Sequence, residues 1–177
     1  GLSVAIRLGL WRSLAIFFAS RIEEVLPDGR IIRPQRLKDG DRTTVLALAP
    51  YNFAKELRCI AATNKIRVLQ LHDRWPTRLL FQFYSRDLST GKKNLLEFFN
   101  PPAGDPAYIA KKKYRRFLRV FLPKIFEKLG IQCVLGGHYQ YSPDIDWGAV
   151  ANELGYPYIV LHRDCFIASK AIDDIVR

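Results

Sequence analysis

The sequence predicts an α/β fold of the Rossmann-like, three-layer type, with a short parallel sheet of about four strands. Four short apolar runs alternate with segments of helical periodicity. The runs are apolar along their whole length, which is typical of parallel strands that are buried on both faces. A chain of 177 residues also suits one domain with a full hydrophobic core.

The predicted strands lie near residues 45–49, 66–71, 132–136 and 157–162. The first run breaks at Pro50, and the second ends at His72, and a helix follows each of them. A longer turn follows the third run and leads into a helix that we expect to begin near Asp144 or Asp146. Gly155 is the expected end of that helix, since glycine readily adopts the left-handed conformation of a helix C-terminus.

Two further helices are predicted outside these strand–helix units. Residues 2–26 carry apolar side chains at helical spacing up to the turn at Pro27, which predicts one N-terminal amphipathic helix. This helix either packs on the domain or lies on a membrane surface. A long helix is expected from Pro106 to Gly130, and residues 85–105 are predicted to form a loop. We therefore divide residues 1–177 into a helix and connector (1–43) and a parallel α/β core (44–177).

The chain is strongly basic, with 28 Lys and Arg against 17 Asp and Glu and a net charge of +11. Such a charge predicts an anionic partner, either a phosphate-bearing small molecule or an acidic membrane surface. Nucleic acid is not predicted, because no known reader motif accompanies the charge. The long helix has a basic face that is either solvated or meets anionic lipid, and it consists of Lys111, Lys112, Lys113, Arg115, Arg116 and Arg119.

Several features predict a cytoplasmic protein. The three cysteines are odd in number and have no short-spaced framework, so they are expected to be reduced thiols. The longest uncharged stretch near the N-terminus is the eight-residue run 13–20, too short to span a bilayer. Because the chain begins at Gly1 and contains no Met, we expect it to be part of a longer polypeptide.

All three histidines, His72, His138 and His162, fall within two residues of a predicted strand end. Ligands of open parallel sheets bind at that edge, so the histidines and their charged neighbours form a candidate site. The alternative is that single members are helix caps or buried hydrogen-bonding residues. No metal site is predicted, because the spacing is nonlocal and lacks H-E-x-x-H. No cofactor is predicted either, since the first strand lacks a glycine-rich turn.

The segment 134–166 contains a buried strand, a Gly-Gly-His turn, Asp-x-Asp-Trp and a helix that ends in Glu-Leu-Gly-Tyr-Pro. A strand with the sequence Tyr-Ile-Val-Leu-His-Arg-Asp follows. This segment, and above all Ala151–His162, resembles the N-terminal domain of two-Rossmann (GT-B) glycosyltransferases of bacterial surface and capsule polysaccharide synthesis. The resemblance implies an acceptor-side domain that requires a C-terminal domain absent from this chain. The implied partners are a nucleotide-sugar donor and a sugar or lipid-linked acceptor.

The resemblance also implies residue roles. A catalytic base would remove the proton of the acceptor hydroxyl, and the candidates are Asp164, His138 and Asp73. The candidate substrate-binding residues are His72, Arg74, Gly137, Tyr139, Asp144, His162 and Arg163. A lipid-linked acceptor would place the enzyme on the inner face of a membrane as a peripheral protein. The alternative is a noncatalytic nucleotide- or phosphate-binding module that docks on a partner.

Overall fold

The computed structural model describes residues 2–34, 38–48, 50–72, 74–83, 102–137 and 143–161. Its strands are β1 (Ile22–Val25), β2 (Ile31–Ile32), β3 (Thr43–Leu48), β4 (Ile66–Leu71), β5 (Ile131–Gly136) and β6 (Tyr158–Val160). Its helices are α1 (Leu2–Arg7), α2 (Trp11–Ala19), α3 (Ala54–Ala62), α4 (Arg74–Phe81), α5 (Pro106–Leu129) and α6 (Asp144–Glu153). A 3₁₀ turn, Pro50–Phe53, precedes α3.

The strands form one six-stranded sheet in the order β2-β1-β4-β3-β5-β6. Strands β4, β3, β5 and β6 are parallel, as the sequence predicts. Strand β1 is antiparallel to both β2 and β4. The α/β class is therefore confirmed, but the sheet is mixed and has two more strands than expected. The predicted loop at 85–105 lies largely outside the described residues. The last helix that the sequence predicts, which would begin near Phe166, lies wholly outside them.

The prediction of one helix over residues 2–26 is wrong. Gly9 has a φ of +65° and separates α1 from α2, and α2 ends at Ala19. The next four residues form β1, in which Ile22 and Val25 enter the cores on opposite faces of the sheet. Strand pairing is favoured here because the buried carboxylate of Glu24 accepts a hydrogen bond of 2.9 Å from the buried guanidinium of Arg67. Residues 1–43 thus contribute strands to the sheet in addition to helices.

The two faces of the sheet have separate cores, as a three-layer arrangement requires. Val45, Ala47 and Val68 point to one face, where they pack against Leu57 and Ala61 of α3. The alternate residues, among them Leu46, Leu48 and Leu69, point to the other face, where α2, α4, α5 and α6 lie. Since side chains alternate along a strand, continuous apolar runs supply both cores at once.

Helix α5 is the longest element, and its ends follow from local sequence. Asp105 accepts a hydrogen bond of 2.7 Å from the N–H of Ala107, and Pro106 occupies the first turn. Gly130 ends the helix with a φ of +67°, as predicted. Within the described ranges, no helix is both long enough and apolar enough to cross a membrane.

Helix α2 packs on α5 through aromatic rings. The ring centroids of Trp11 and Phe117 are 5.4 Å apart, and those of Phe18 and Phe121 are 5.1 Å apart. One face of the N-terminal segment therefore packs on the domain, which was the first of the two alternatives for it. Its outer side still exposes Val4, Leu8, Leu10 and Ile16.

Tyr158 of β6 packs across two glycines, Gly136 at the end of β5 and Gly148 in α6. A Cβ atom at either glycine would overlap the Tyr158 ring, so neither position has room for a side chain. Burial, together with the negative charge of Asp144, raises the pKa of Tyr158. The phenol therefore stays protonated at physiological pH. These two glycines allow β6 and α6 to approach β5 closely.

We predict that Gly136→Ala lowers the free energy of unfolding by about 1–3 kcal/mol, because the added methyl group overpacks the Tyr158 ring. Urea unfolding measures the loss. Gly40→Ala is the matched control, since a Cβ atom there meets nothing within 4 Å. In a Tyr158→Ala background the same Gly136→Ala change should cost less. An equal cost in both backgrounds would contradict the explanation.

Candidate functional site at the carboxyl edge of the sheet

The parallel strands end at one edge of the sheet, and the chain changes direction there. From the central strand β3 it moves through α3 to β4 on one side, and later returns to β5 on the other side. Helices and loops diverge at such a switch point and leave a crevice that ligands of open α/β sheets occupy. The carboxyl ends of β3 and β5 therefore border that crevice.

The structure describes four of the predicted site residues: His72, Arg74, Gly137 and Asp144. The predicted residues Asp73, His138, Tyr139, His162, Arg163 and Asp164 lie outside the described residues. The expected convergence of three histidines on one rim can thus be followed for His72 alone, and it stays a prediction for the other two.

His72 follows the last residue of β4 and is half-buried. Its Nδ1 atom accepts a hydrogen bond of 3.2 Å from the backbone N–H of Arg74, and its carbonyl oxygen accepts one of 2.9 Å from Trp75. In this contact the Nδ1 atom acts as a hydrogen-bond acceptor. His72 therefore binds an N–H group of the first turn of α4. This is the helix-capping role that the sequence analysis gives as the alternative for single histidines.

Asp144 and Gly137, two predicted substrate-binding residues, bond to each other. Asp144 is 3% exposed, and its Oδ2 atom accepts a hydrogen bond of 3.1 Å from the backbone N–H of Gly137. The bond ties the segment after β5 to the first turn of α6. Asp144 and Asp146 lie inside α6 rather than capping it, because the N-cap residue is Pro143. A carboxylate in the first turn is stabilised there by the helix dipole.

A buried ionic cluster joins α5 to α6. The side chain of Asp146 is fully buried, with its Oδ1 atom 2.7 Å from Arg115 Nε and its Oδ2 atom 3.7 Å from Lys111 Nζ. Burial lowers the pKa of Lys111, and the negative charge of Asp146 opposes that shift. The predicted basic face of α5 is therefore divided: Lys111 and Arg115 point inward, whereas Lys112, Lys113 and Arg116 are exposed.

A second buried contact connects α4, α5 and α6. The indole N–H of Trp147 donates a hydrogen bond of 2.6 Å to the Tyr114 hydroxyl oxygen, and that hydroxyl donates one of 3.4 Å to the carbonyl of Pro76. Burial raises the pKa of Tyr114 well above its usual value, so the hydroxyl stays a donor. Sequence reasoning missed this network and the ionic cluster, because their members lie more than 30 residues apart.

Two open clefts of about 350 and 330 Å³ lie between α2 and the end of α5. Ile16 and Lys128 line both of them, and no predicted site residue lines either. In the described ranges, no group of three or more His, Cys, Asp and Glu side chains could hold a metal ion.

We predict that Asp146→Asn lowers the free energy of unfolding by about 3 kcal/mol, since the buried Lys111 and the partly buried Arg115 lose their shared carboxylate. Glu153→Gln is the matched control: it breaks the exposed Arg119–Glu153 pair and should cost less than about 1 kcal/mol. Chemical denaturation measures both losses. Adding Lys111→Met to Asp146→Asn should restore part of the stability. Equal losses for Asp146→Asn and Glu153→Gln would contradict the ionic cluster's role.

Comparisons of the chain with models of protein families, with curated proteins and with solved structures found no match. The likeness to GT-B glycosyltransferases therefore rests on the residues of the segment 134–166 alone. Any function assigned to the chain has to be argued from its own fold, charges and side-chain contacts.

Proposed function

We propose that the chain is the acceptor-side domain of a glycosyltransferase that builds a surface polysaccharide or glycolipid from a nucleotide-sugar donor. One observation carries the proposal: the segment that resembles these enzymes begins in β5 and continues into α6, beside the switch point of the sheet. Ligands of open α/β sheets bind at such a point. The Gly137–Asp144 bond ties the start of α6 to the end of β5, and the ionic cluster of Asp146 ties it to α5.

The proposed reaction transfers a sugar to an acceptor hydroxyl. The hydroxyl oxygen bonds to the anomeric carbon, the bond from that carbon to the nucleoside diphosphate breaks, and the diphosphate leaves with the electron pair. A general base takes the hydroxyl proton, and Asp164, His138 and Asp73 remain the candidates. Arg74 and Arg163 would hold a phosphate group of the donor or the acceptor.

The proposal places the acceptor on a membrane surface, with the domain peripheral on the cytoplasmic face. The first helical segment supports this placement, because Val4, Leu8 and Leu10 are 54%, 66% and 46% exposed. The exposed Arg7 lies between Val4 and Leu8 in sequence, and the exposed Arg12 lies two residues after Leu10. Apolar side chains beside basic ones are the combination that binds an interface rich in anionic lipid.

A noncatalytic phosphate-binding module is the second candidate. It is favoured by the contacts of His72, Gly137 and Asp144, each of which is held in a hydrogen bond within the fold. Residues that are held in such hydrogen bonds can line a ligand-binding site without taking part in a reaction. The two candidates differ in whether the site contains a working general base.

We predict transfer of labelled sugar from a nucleotide-sugar donor to a polyprenyl-diphosphate-linked acceptor by the native polypeptide that contains this chain. Asp164→Asn or His138→Ala should lower the rate by about 100-fold or more if that residue is the base. Neither change should lower the melting temperature much. Asp41→Asn, at an exposed loop carboxylate, is the matched control. Unchanged rates, or no transfer from a panel of donors despite phosphate binding, would favour the second candidate.

We predict that the chain binds vesicles containing acidic lipid and is released as salt rises through the screening range. Leu8→Ser with Leu10→Ser should weaken this binding by about tenfold, because two apolar side chains no longer enter the interface. Ile31→Ser, at an exposed residue of the edge strand β2, is the control. Vesicle co-sedimentation measures the affinity. Equal binding to neutral vesicles, or none to either, would contradict the membrane placement.

A further inference from the structure

Three arginines surround the indole ring of Trp75. The guanidinium carbons of Arg21, Arg74 and Arg78 each lie 5.2 Å from the centroid of that ring. A ring has two faces, so at least two of the three cations share one face. We call Arg21, Arg74, Arg78 and Trp75 the Trp75 cluster.

The fold brings the cluster together at the carboxyl edge. Arg21 directly precedes Ile22, which pairs with Leu71, the last residue of β4. Arg74 and Arg78 lie one helical turn apart in α4, which follows β4. Residues 54 positions apart in sequence, Arg21 and Trp75, therefore meet because β1 is antiparallel to β4.

The Trp75 ring is held in place by aromatic contacts with α2. It meets Phe17 edge to face at a centroid distance of 5.5 Å, and Phe18 at 6.5 Å. Such pairs add to the stability that burial alone provides. These contacts hold the indole in place. A guanidinium group that stacks on the indole still has the N–H donors of its own edge available for another partner.

The positive charges of the cluster are not balanced by carboxylates in the described part of the chain. Five other arginines form ion pairs with Asp or Glu, and they are Arg30, Arg42, Arg67, Arg115 and Arg119. Among the described residues, no Asp or Glu lies within 4.0 Å of the guanidinium nitrogens of Arg21, Arg74 or Arg78. The quadrupole of the indole attracts each cation but supplies no counter-charge.

The three guanidinium groups of the cluster carry like charges and repel each other. Three guanidinium groups around one centroid lie within about 10 Å of each other, which is about one Debye length at 0.1 M salt. Salt therefore screens them only in part. A bound anion would relieve this repulsion. The anion that binds best is the one whose charge and shape suit the arginines of the cluster.

We propose that the Trp75 cluster is a binding site for a phosphate group, carried by an organic phosphate or by a lipid headgroup. Phosphate offers several oxygens to the guanidinium groups that share a face of the indole, and arginine binds it through paired hydrogen bonds. The site rests on the contacts of the cluster and does not depend on the transferase activity. A failed transfer assay therefore leaves it intact, and failed phosphate binding leaves the transferase open.

Calorimetric titration of the 177-residue chain with inorganic diphosphate tests the site. We predict that Arg74→Gln with Arg78→Gln weakens binding by about tenfold or more, because each charge-assisted hydrogen bond contributes at least that order of affinity. Arg58→Gln with Arg116→Gln is the matched control, since it removes the same charge from exposed helix positions. The control should change the affinity by less than about twofold, as expected for a general field effect.

A second variant separates the geometry of the cluster from its charge. Trp75→Leu keeps all three arginines and removes the platform, so diphosphate binding should weaken while the net charge stays constant. Because Trp75 also packs on Phe17, thermal melting accompanies this titration. Equal weakening in the cluster variant and in the control variant, or diphosphate binding that no cluster variant weakens, would overturn the proposal.

Vesicles identify the source of the phosphate. Binding to vesicles of phosphatidic acid in phosphatidylcholine is compared with binding to phosphatidylcholine alone, for the wild type and for Arg74→Gln with Arg78→Gln. If the variant loses vesicle binding and diphosphate displaces the wild type, the ligand is a headgroup. If only the diphosphate affinity falls, the ligand is a soluble phosphate. If neither the vesicle affinity nor the diphosphate affinity falls, the proposal is wrong.

Discussion

The burial of one stripe of α5 is the constraint on which most of the fold depends. Leu118, Phe121, Leu122 and Ile125 are fully buried and face the sheet and the neighbouring helices at once. Because these side chains recur every three or four residues, α2, α4 and α6 can all pack around the same helix. The polar contacts are consequences of this packing. Once α6 closes on α5, Lys111 and Arg115 are enclosed, and the carboxylate of Asp146 is needed to stabilise them.

The parallel strands of the sheet can be predicted from the sequence, whereas the antiparallel strands β1 and β2 cannot. Long apolar runs such as Val45–Leu48 specify buried parallel strands on their own, because only a doubly covered strand needs them. Strand β1 has four residues, two of which are glutamates, and its apolar residues Ile22 and Val25 have helical spacing. Its strand partner is β4, 43 or more residues further along the chain, and the buried Arg67 of β4 binds Glu24. The spacing of apolar residues within β1 gives no information on a partner so far away in the sequence.

The same limit applies to the candidate sites. The strand-end rule identified His72, and the resemblance added Gly137 and Asp144. In the structure, His72 directly follows β4, Gly137 directly follows β5, and Asp144 begins α6. Their hydrogen-bond partners could not be predicted, because each bond depends on the backbone path of a turn. The Trp75 cluster was missed for a different reason. Sequence reasoning placed Arg21 inside a helix, so its meeting with Trp75 required the antiparallel strand β1. The local signal was the position of Arg74 and Arg78 on either side of Trp75.

The distribution of positive charge matters more for function than its total. On α5, Lys111, Arg115 and Arg119 are paired with carboxylates, so half of the predicted basic face adds little to the external field. At the carboxyl edge, by contrast, Arg21, Arg74 and Arg78 form no ion pair with any carboxylate of the described ranges, and they concentrate positive charge beside the end of β4. Charges of one sign around a crevice raise the local concentration of anions and speed their capture. The edge where the topology predicts a ligand is therefore also the edge where we propose the phosphate site. That coincidence favours a phosphate-bearing ligand over a neutral sugar as the first group to bind.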